Sequence, residues 1–308
     1  MQPVDTQPAK DYRSGFVGII GRPNVGKSSI LNALLGHTVA IVSPKPQTTR
    51  HRILGVLTRP DAQVMFLDSP GFHRPQHVLG RYMLQAMKAI LEEADLLMVV
   101  IDGHAGLTIE DYRLFEHIRH KKCPCLAVIN KIDLVQKLRL LPLLEACAQT
   151  GLFVEHIPVS ARTQEQMDLL LTRTIAHLPT GPQWYPPHQW TDQTDLQLIS
   201  ECIRQRVLFA TQQEVPHAVS VQVDQIERQE DVTTVTATIF VERPGQKVIL
   251  IGKGGAMLKR ITQGARRQIK TLLGWKIRLR LWVKVAEDWR NNPRLLNQMG
   301  YGGPKFNK

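Results

Sequence analysis

The stretch Gly21-Arg22-Pro23-Asn24-Val25-Gly26-Lys27-Ser28 stands directly behind the apolar run Phe16-Val17-Gly18-Ile19-Ile20. Glycines at this spacing let successive backbone N–H groups turn inward around phosphate oxygens. A lysine then reaches the β- and γ-phosphates, and a hydroxyl holds Mg²⁺. Ser29-Ile30-Leu31-Asn32-Ala33-Leu34-Leu35 follows with helical periodicity. The loop therefore opens onto a helix N-terminus, whose partial positive charge favours an anion. Such a string arises by chance in roughly one chain in a hundred of this length, and the strand in front and helix behind make coincidence rarer. The stretch predicts a phosphate-binding loop built from Gly21, Asn24, Val25, Gly26, Lys27 and Ser28.

Working outward, the chain has 308 residues, enough for two domains with a core in each. Its longest apolar run, Leu96 to Ile101, falls far short of the ~20 residues that span a bilayer. Residues Met1 to Lys10 have no apolar core and carry Asp5, which matches neither a secretory signal nor a transit peptide. Cys123, Cys125, Cys147 and Cys202 show no metal-ligand spacing, so reduced, packed cysteines in a cytoplasmic protein are expected. The net charge of +12 is unevenly spread: 20 basic against 16 acidic residues over 1–180, and 19 against 11 over 181–308. From Arg243 to Lys284 there are twelve basic residues and no acidic one. A block of this kind points to a polyanionic partner, nucleic acid or an anionic membrane surface.

Residues 12–180 alternate short apolar β-runs with amphipathic segments, the pattern of βα units on a mostly parallel sheet. Strands are expected at Phe16–Gly21, Ile53–Thr58, Val64–Asp68, Leu96–Asp102, Leu126–Asn130 and Val154–Ser160. Helices are expected at Val78–Glu92, Ile109–Lys121, Leu138–Gln149 and Gln164–His177. The proline-rich stretch 181–193 reads as a linker, residues 1–11 as a flexible N-terminus and 291–308 as a flexible tail. Between them, 194–290 is expected to form an α+β domain. Its predicted order is a helix over Asp195–Thr211, strands Val219–Val223, Thr233–Val241 and Lys247–Ile251, a helix to Leu273, and a last strand Lys276–Val285.

Further elements select guanine. Asp68-Ser69-Pro70-Gly71 closes one predicted strand, where Asp68 reaches Mg²⁺ through water and the Gly71 N–H senses the γ-phosphate. Asn130-Lys131-Ile132-Asp133 closes another. Guanine presents two adjacent donors, N1–H and N2–H₂, and Asp133 is suited to accept both; adenine would leave that carboxylate unpaired. Lys131 would cover a face of the base, Asn130 would tie the segment to the phosphate loop, and Ser160-Ala161 would offer a backbone N–H to guanine O6. All of these lie at successive strand ends, where open α/β sheets bind ligands.

On these motifs the first domain resembles the translation-factor-type GTPases, in the branch whose switch region reads Gln47-Thr48-Thr49-Arg50. The resemblance implies that Thr49, rather than Thr48, completes the Mg²⁺ shell with Ser28 and Asp68. The position after Asp68-x-x-Gly71, where many GTPases carry a water-orienting glutamine, is Phe72. In GTPases similar to this one the counterpart of Asn24 helps hold K⁺ where others use an arginine finger, so potassium-stimulated hydrolysis is expected. His73 reads as a solvated switch-loop residue in preference to a general base.

In the second domain Gly252-Lys253-Gly254-Gly255 runs into Leu258, Ile261, Ala265, Ile269 and Leu272, spaced for one buried helix face, with Lys259, Arg266 and Lys270 on another. This is the layout of a KH domain, whose glycine loop clamps the phosphates of a short single-stranded RNA segment. Together with the ending Leu281-Trp282-Val283-Lys284-Val285 and the later Trp289, the chain from about Ser14 to Tyr301 resembles the Era family of ribosome-assembly GTPases (TrmE–Era-like domain followed by a type II KH domain). That resemblance implies an α/β P-loop GTPase domain with a mostly parallel sheet and a smaller α+β KH domain. It also implies GTP and Mg²⁺, with K⁺ activating. The implied partners are small-subunit rRNA near its 3′ end and the pre-small ribosomal subunit, met as a monomer. The alternative is a GTP-binding regulator peripheral to the inner face of the membrane.

Overall fold

The computed structural model describes residues 11–301 except 46, 73, 74, 213, 214 and 231. His73 and the chain after Tyr301 therefore lie outside the described residues. The chain divides into two compact units. The first comprises Met1–Ala40, Thr49–Arg74 and Met83–Asp192; the second comprises Gln193–Lys308 with Ile41–Thr48 and Pro75–Tyr82.

In chain order the elements of the α/β region are β1 (Arg13–Ile20), α1 (Lys27–Leu35), β2 (Ile53–Thr58), β3 (Ala62–Asp68), α2 (Val78–Glu93), β4 (Leu96–Asp102), α3 (Ile109–Ile118), β5 (Cys125–Asn130), α4 (Leu141–Gln149), β6 (Glu155–Pro158) and α5 (Met167–His177). Six strands form one sheet in the order β2-β3-β1-β4-β5-β6. All neighbours are parallel except the antiparallel pair β2–β3. The strands read as unbroken apolar runs because both faces are covered. On one face Ile19, Phe66, Met98 and Val128 pack with Ile30, Leu34 and Leu171. On the other, Leu67, Val99, Ile101 and Ile129 pack with Ile90, Leu114 and Phe115. Each such side chain contributes on the order of 1.5–3 kcal/mol when fully buried.

Register then sets the site. The pairing Ile19↔Asp68 brings the end of β3 beside the mouth of the glycine loop. The pairing Asp102↔Asn130 brings the end of β4 beside the end of β5.

The stretch expected to be a linker is instead held against this sheet over 181–192. The Gln63 carboxamide receives the Trp184 and Tyr185 N–H groups and donates to the Tyr185 carbonyl at 2.8 Å. The Thr191 hydroxyl donates to the Leu54 carbonyl at 2.7 Å. The prolines prevent regular structure, yet Tyr185 is buried.

The second unit holds α6 (Asp195–Ala210), β7 (Ser220–Arg228), β8 (Thr233–Val241), α7 (Pro244–Ile251), α8 (Ala256–Leu273), β9 (Ile277–Val285) and α9 (Pro293–Gln298). Its sheet order is β7-β8-β9, antiparallel then parallel. Ile203, Val207, Ile261, Ala265 and Ile269 pack against Val235, Ala237, Ile239 and Leu279.

Two expectations are corrected here. Residues 247–251, expected as a strand for their β-branched run, belong to α7. Pro244 occupies its first turn, and the Gln246 side chain accepts the N–H groups of Glu242 and Arg243 at 2.9 and 3.0 Å, which starts a helix there. The tail from Asn291 is ordered as far as Tyr301. Asn292 caps α9 through its side chain, and the fully buried Trp289 donates to the Ala218 carbonyl at 2.9 Å and stacks on Tyr301. Among the described residues no helix is long and apolar enough to cross a membrane.

Candidate functional site

The glycine loop is a tight piece of backbone. Gly26 has φ 101° and caps α1, and a Cβ there would lie 2.1 Å from Asn130 Nδ2. Gly71 is equally confined, since its Cβ would approach Pro23 Cα at 2.9 Å. Val25 is buried, while Asn24 stands exposed at the tip with φ 65°. Lys27 folds back over the loop and donates to the Gly21 and Arg22 carbonyls at 3.1 and 2.9 Å. Burial pushes its ammonium down to about 8, against the opposing pull of Asp68.

Three oxygens converge beside it. Ser28 Oγ donates to Asp68 Oδ2 at 2.6 Å and lies 2.8 Å from Thr49 Oγ1, which donates to the same carboxylate oxygen at 3.3 Å. Asp68 is fully buried, and burial raises it to about 6 despite Lys27 and the two hydroxyls. Its other oxygen, Oδ1, is buried without a hydrogen bond. Two hydroxyls and a half-satisfied carboxylate form a hard, all-oxygen set, the chemistry that suits Mg²⁺ alongside phosphate oxygens.

The neighbouring threonine is used otherwise. Thr48 donates to the Lys45 carbonyl at 2.6 Å, next to Gln47 in a left-handed turn. Arg50 is buried. Phe72 packs its half-buried ring against the apolar cluster that includes α3, edge-on to His117 at 5.1 Å, while its N–H donates to the Gly21 carbonyl at 3.0 Å. A side chain so placed offers nothing to a water molecule.

The segment expected to meet the base is braced by one amide. Asn130 donates to the Val25 carbonyl at 2.9 Å and accepts from the Ala161 N–H at 3.1 Å, joining the phosphate loop, the end of β5 and the turn after β6. Asp133 accepts from Ser160 Oγ at 2.7 Å, with Arg162 at 3.8 Å. Lys131, in a left-handed conformation, spans from the Asn24 carbonyl at 2.7 Å to Asp102 at 2.6 Å. Burial alone would raise Asp102, but Lys131 and the Ala105 and His104 N–H groups outweigh it and hold the carboxyl below its usual range.

Asp102 escapes a motif reading because its partner, Lys131, follows another strand; its one signal is an acid closing the apolar run of β4. Asp111 is similar: almost wholly buried, it caps α3 and pairs with Arg22 of the loop at 3.1 Å.

In the second unit α7 and α8 meet at the other glycine loop. Gly252 has φ 72°, and a Cβ there would strike Met257 Cβ at 2.8 Å, so glycine is required on both counts. Lys253, Lys259, Arg266 and Lys270 are exposed, and Ile261, Ala265 and Ile269 are buried on the opposite side of α8. Val248 and Ile249 on α7 are also exposed. Read as a strand, this run gives no sign of that exposure.

A model of the 50S ribosome-binding GTPase family matches residues 16–131, and a KH-domain model matches residues 214–290. The whole chain is similar to a crystal structure of a point variant of Aquifex aeolicus Era bound to GDP·AlF4⁻. Identity is 36%, 94% of this chain and 99% of that one are covered, and the TM-score is 0.91. It is likewise similar to a crystal structure of Era in complex with MgGDPNP and nucleotides 1506–1542 of 16S ribosomal RNA, at 37% identity, the same coverage and a TM-score of 0.92. This chain belongs to the Era family, a P-loop GTPase domain followed by a KH domain.

Proposed function

We propose that this GTPase is a switch that binds small-subunit rRNA near its 3′ end and assists maturation of the small ribosomal subunit. The observation that carries its nucleotide half is the meeting of Ser28, Thr49 and the half-satisfied Asp68 beside Lys27. Those oxygens would hold Mg²⁺, which neutralises charge between the β- and γ-phosphates. Loop N–H groups with Lys27 would hold the phosphates, Gly71 would sense the γ-phosphate, and Asp133 would read guanine, whereas the Ala161 N–H expected at guanine O6 is donated to Asn130 instead. Asn24 is exposed at the tip of the loop, and its side chain carries a carboxamide oxygen, a hard donor of the kind that suits K⁺. With an apolar ring at Phe72, water must be positioned by a group other than residue 72.

The RNA half is supported by the related Era structure with 16S rRNA nucleotides and by the open glycine loop with its row of cations. A membrane-surface helix exposes large apolar groups beside its lysines. In α8 Ile261, Ala265 and Ile269 are buried, and the exposed pair Val248 and Ile249 of α7 beside the glycine loop suits the bases of a single strand, which favours RNA.

The test is GTP turnover by the purified full chain, in KCl and in NaCl at equal ionic strength, with and without an rRNA 3′-end fragment. Turnover that needs Mg²⁺, rises in KCl and rises again with the fragment is expected. Equal rates in the two salts would remove K⁺, and indifference to RNA would remove the coupling.

A further inference from the structure

The sheet of the second unit carries a set of groups that neither glycine loop uses. Along β9, Ile277, Leu279 and Val283 are buried under the helices, while Arg278, Arg280, Trp282 and Lys284 face the opposite way and are exposed. A strand rises about 3.3 Å per residue, so these four follow one another at about 6.6 Å. Trp282 is 61% exposed, an unusual position for a side chain that normally buries most of its surface. Its partner in register on β8 is Thr238, and Arg280 pairs with Thr236, so its neighbours on that side are short.

Two carboxylates of β7 share this face, Asp224 and Glu227, the latter standing across Thr234 from Arg278 and accepting a hydrogen bond from Gln225 at 2.8 Å. Among the described residues no carboxylate pairs with Arg278, Arg280 or Lys284. Asp224 of β7 reaches the face and is occupied in accepting a hydrogen bond from Thr238 at 2.7 Å. A lipid surface asks for several large apolar groups together, and here one aromatic ring stands between cations. Cations spaced along a strand with an exposed indole between them match a polyanion with stackable rings: phosphates for the cations and an unpaired base for the ring.

We propose that this outer sheet face is a second RNA-contacting surface, on the side opposite the glycine-loop helices, where Trp282 stacks an unpaired base and Arg278, Arg280 and Lys284 hold the flanking phosphates. This rests on the reading of the second unit as an RNA binder, and it gives that unit two grips on one strand.

The experiment compares two probes on the full chain by fluorescence anisotropy. One is a tetranucleotide RNA, matched to the four nucleotides a KH loop clamps. The other is a longer single-stranded fragment of the small-subunit rRNA 3′ end. Trp282→Ala should weaken the long probe about tenfold and leave the tetranucleotide unaffected, while Trp282→Phe recovers most of the loss. Arg280→Ala should lower the salt slope for the long probe by about one.

If Trp282→Ala binds the long probe as wild type does while Gly252→Asp abolishes it, the sheet face is not used and the glycine-loop reading stands. If wild type binds neither probe, the RNA reading itself fails. Loss of both probes with a lowered melting temperature would make Trp282 structural and overturn the proposal. So would quenching of Trp282 by anionic vesicles or an acidic polypeptide with the long RNA indifferent to its removal.

Discussion

The loop Gly21–Ser28 and the loop Gly252–Gly255 both deliver the chain into a helix capped by a left-handed glycine, Gly26 with φ 101° and Gly255 with φ 80°. In the first, space is exhausted. A Cβ on Gly26 would collide with Asn130, and Lys27 is buried against two loop carbonyls. In the second, a Cβ on Gly254 or Gly255 meets nothing within 4 Å, and Lys253 is exposed. The same local device thus serves two kinds of anion. An enclosed loop with fixed donors fits a small molecule whose oxygens can each be met. An open rim with exposed cations fits a polymer whose backbone passes over it. Only Gly252 is confined in the second loop, at its hinge with Met257.

The sharpest way to break the contrast is to spoil what the enclosed loop reads. Asp133→Asn removes a carboxylate suited to the paired donors of guanine. Its preference for GTP over XTP should collapse by about a thousandfold or more, since a site built around hydrogen bonds discriminates at that scale; competition binding against both nucleotides measures it. Gly26→Ala should follow, with about a hundredfold loss of GDP affinity (about 2.7 kcal/mol), read by calorimetry. Gly252→Asp adds a negative charge and a colliding side chain to the open loop, and RNA affinity should fall tenfold or more by anisotropy. The smallest effect is expected from Gly254→Ala, where space is free and only the left-handed backbone costs about 1–2 kcal/mol. That predicts a melting shift of a few degrees with RNA affinity nearly intact. A large loss of RNA affinity from Gly254→Ala would contradict the open-rim description.

What could be read in advance follows the same divide. The nucleotide loop, Asp68 and Asn130 to Asp133 are contiguous strings at the ends of strands buried on both faces, so motif and hydrophobic run mark the same places. The contacts that brace them are not contiguous. Lys131 with Asp102, and Arg22 with Asp111, join residues that only sheet register and helix packing bring together. In the second unit Val248-Ile249-Leu250-Ile251 has strand composition, yet Pro244 and the Gln246 cap start a helix, and these local start signals override β-propensity. The stretch around Tyr185 has linker composition, but a single glutamine on β3 holds its backbone in place. Composition reports what a segment could bury alone; it is silent about a partner more than a hundred residues away.

Phe72 has a consequence for timing. Its ring is anchored among apolar side chains beside His117, and only its N–H reaches toward the nucleotide loop. A chain that supplies its own water-orienting group carries a clock that runs down wherever it happens to be. Here residue 72 supplies no such hand, and on the proposed function, where RNA raises turnover, the interval between loading and firing is shortened by what the molecule is assembled with. Such a device records that a structure has been completed, where a self-sufficient one would record only that time has passed.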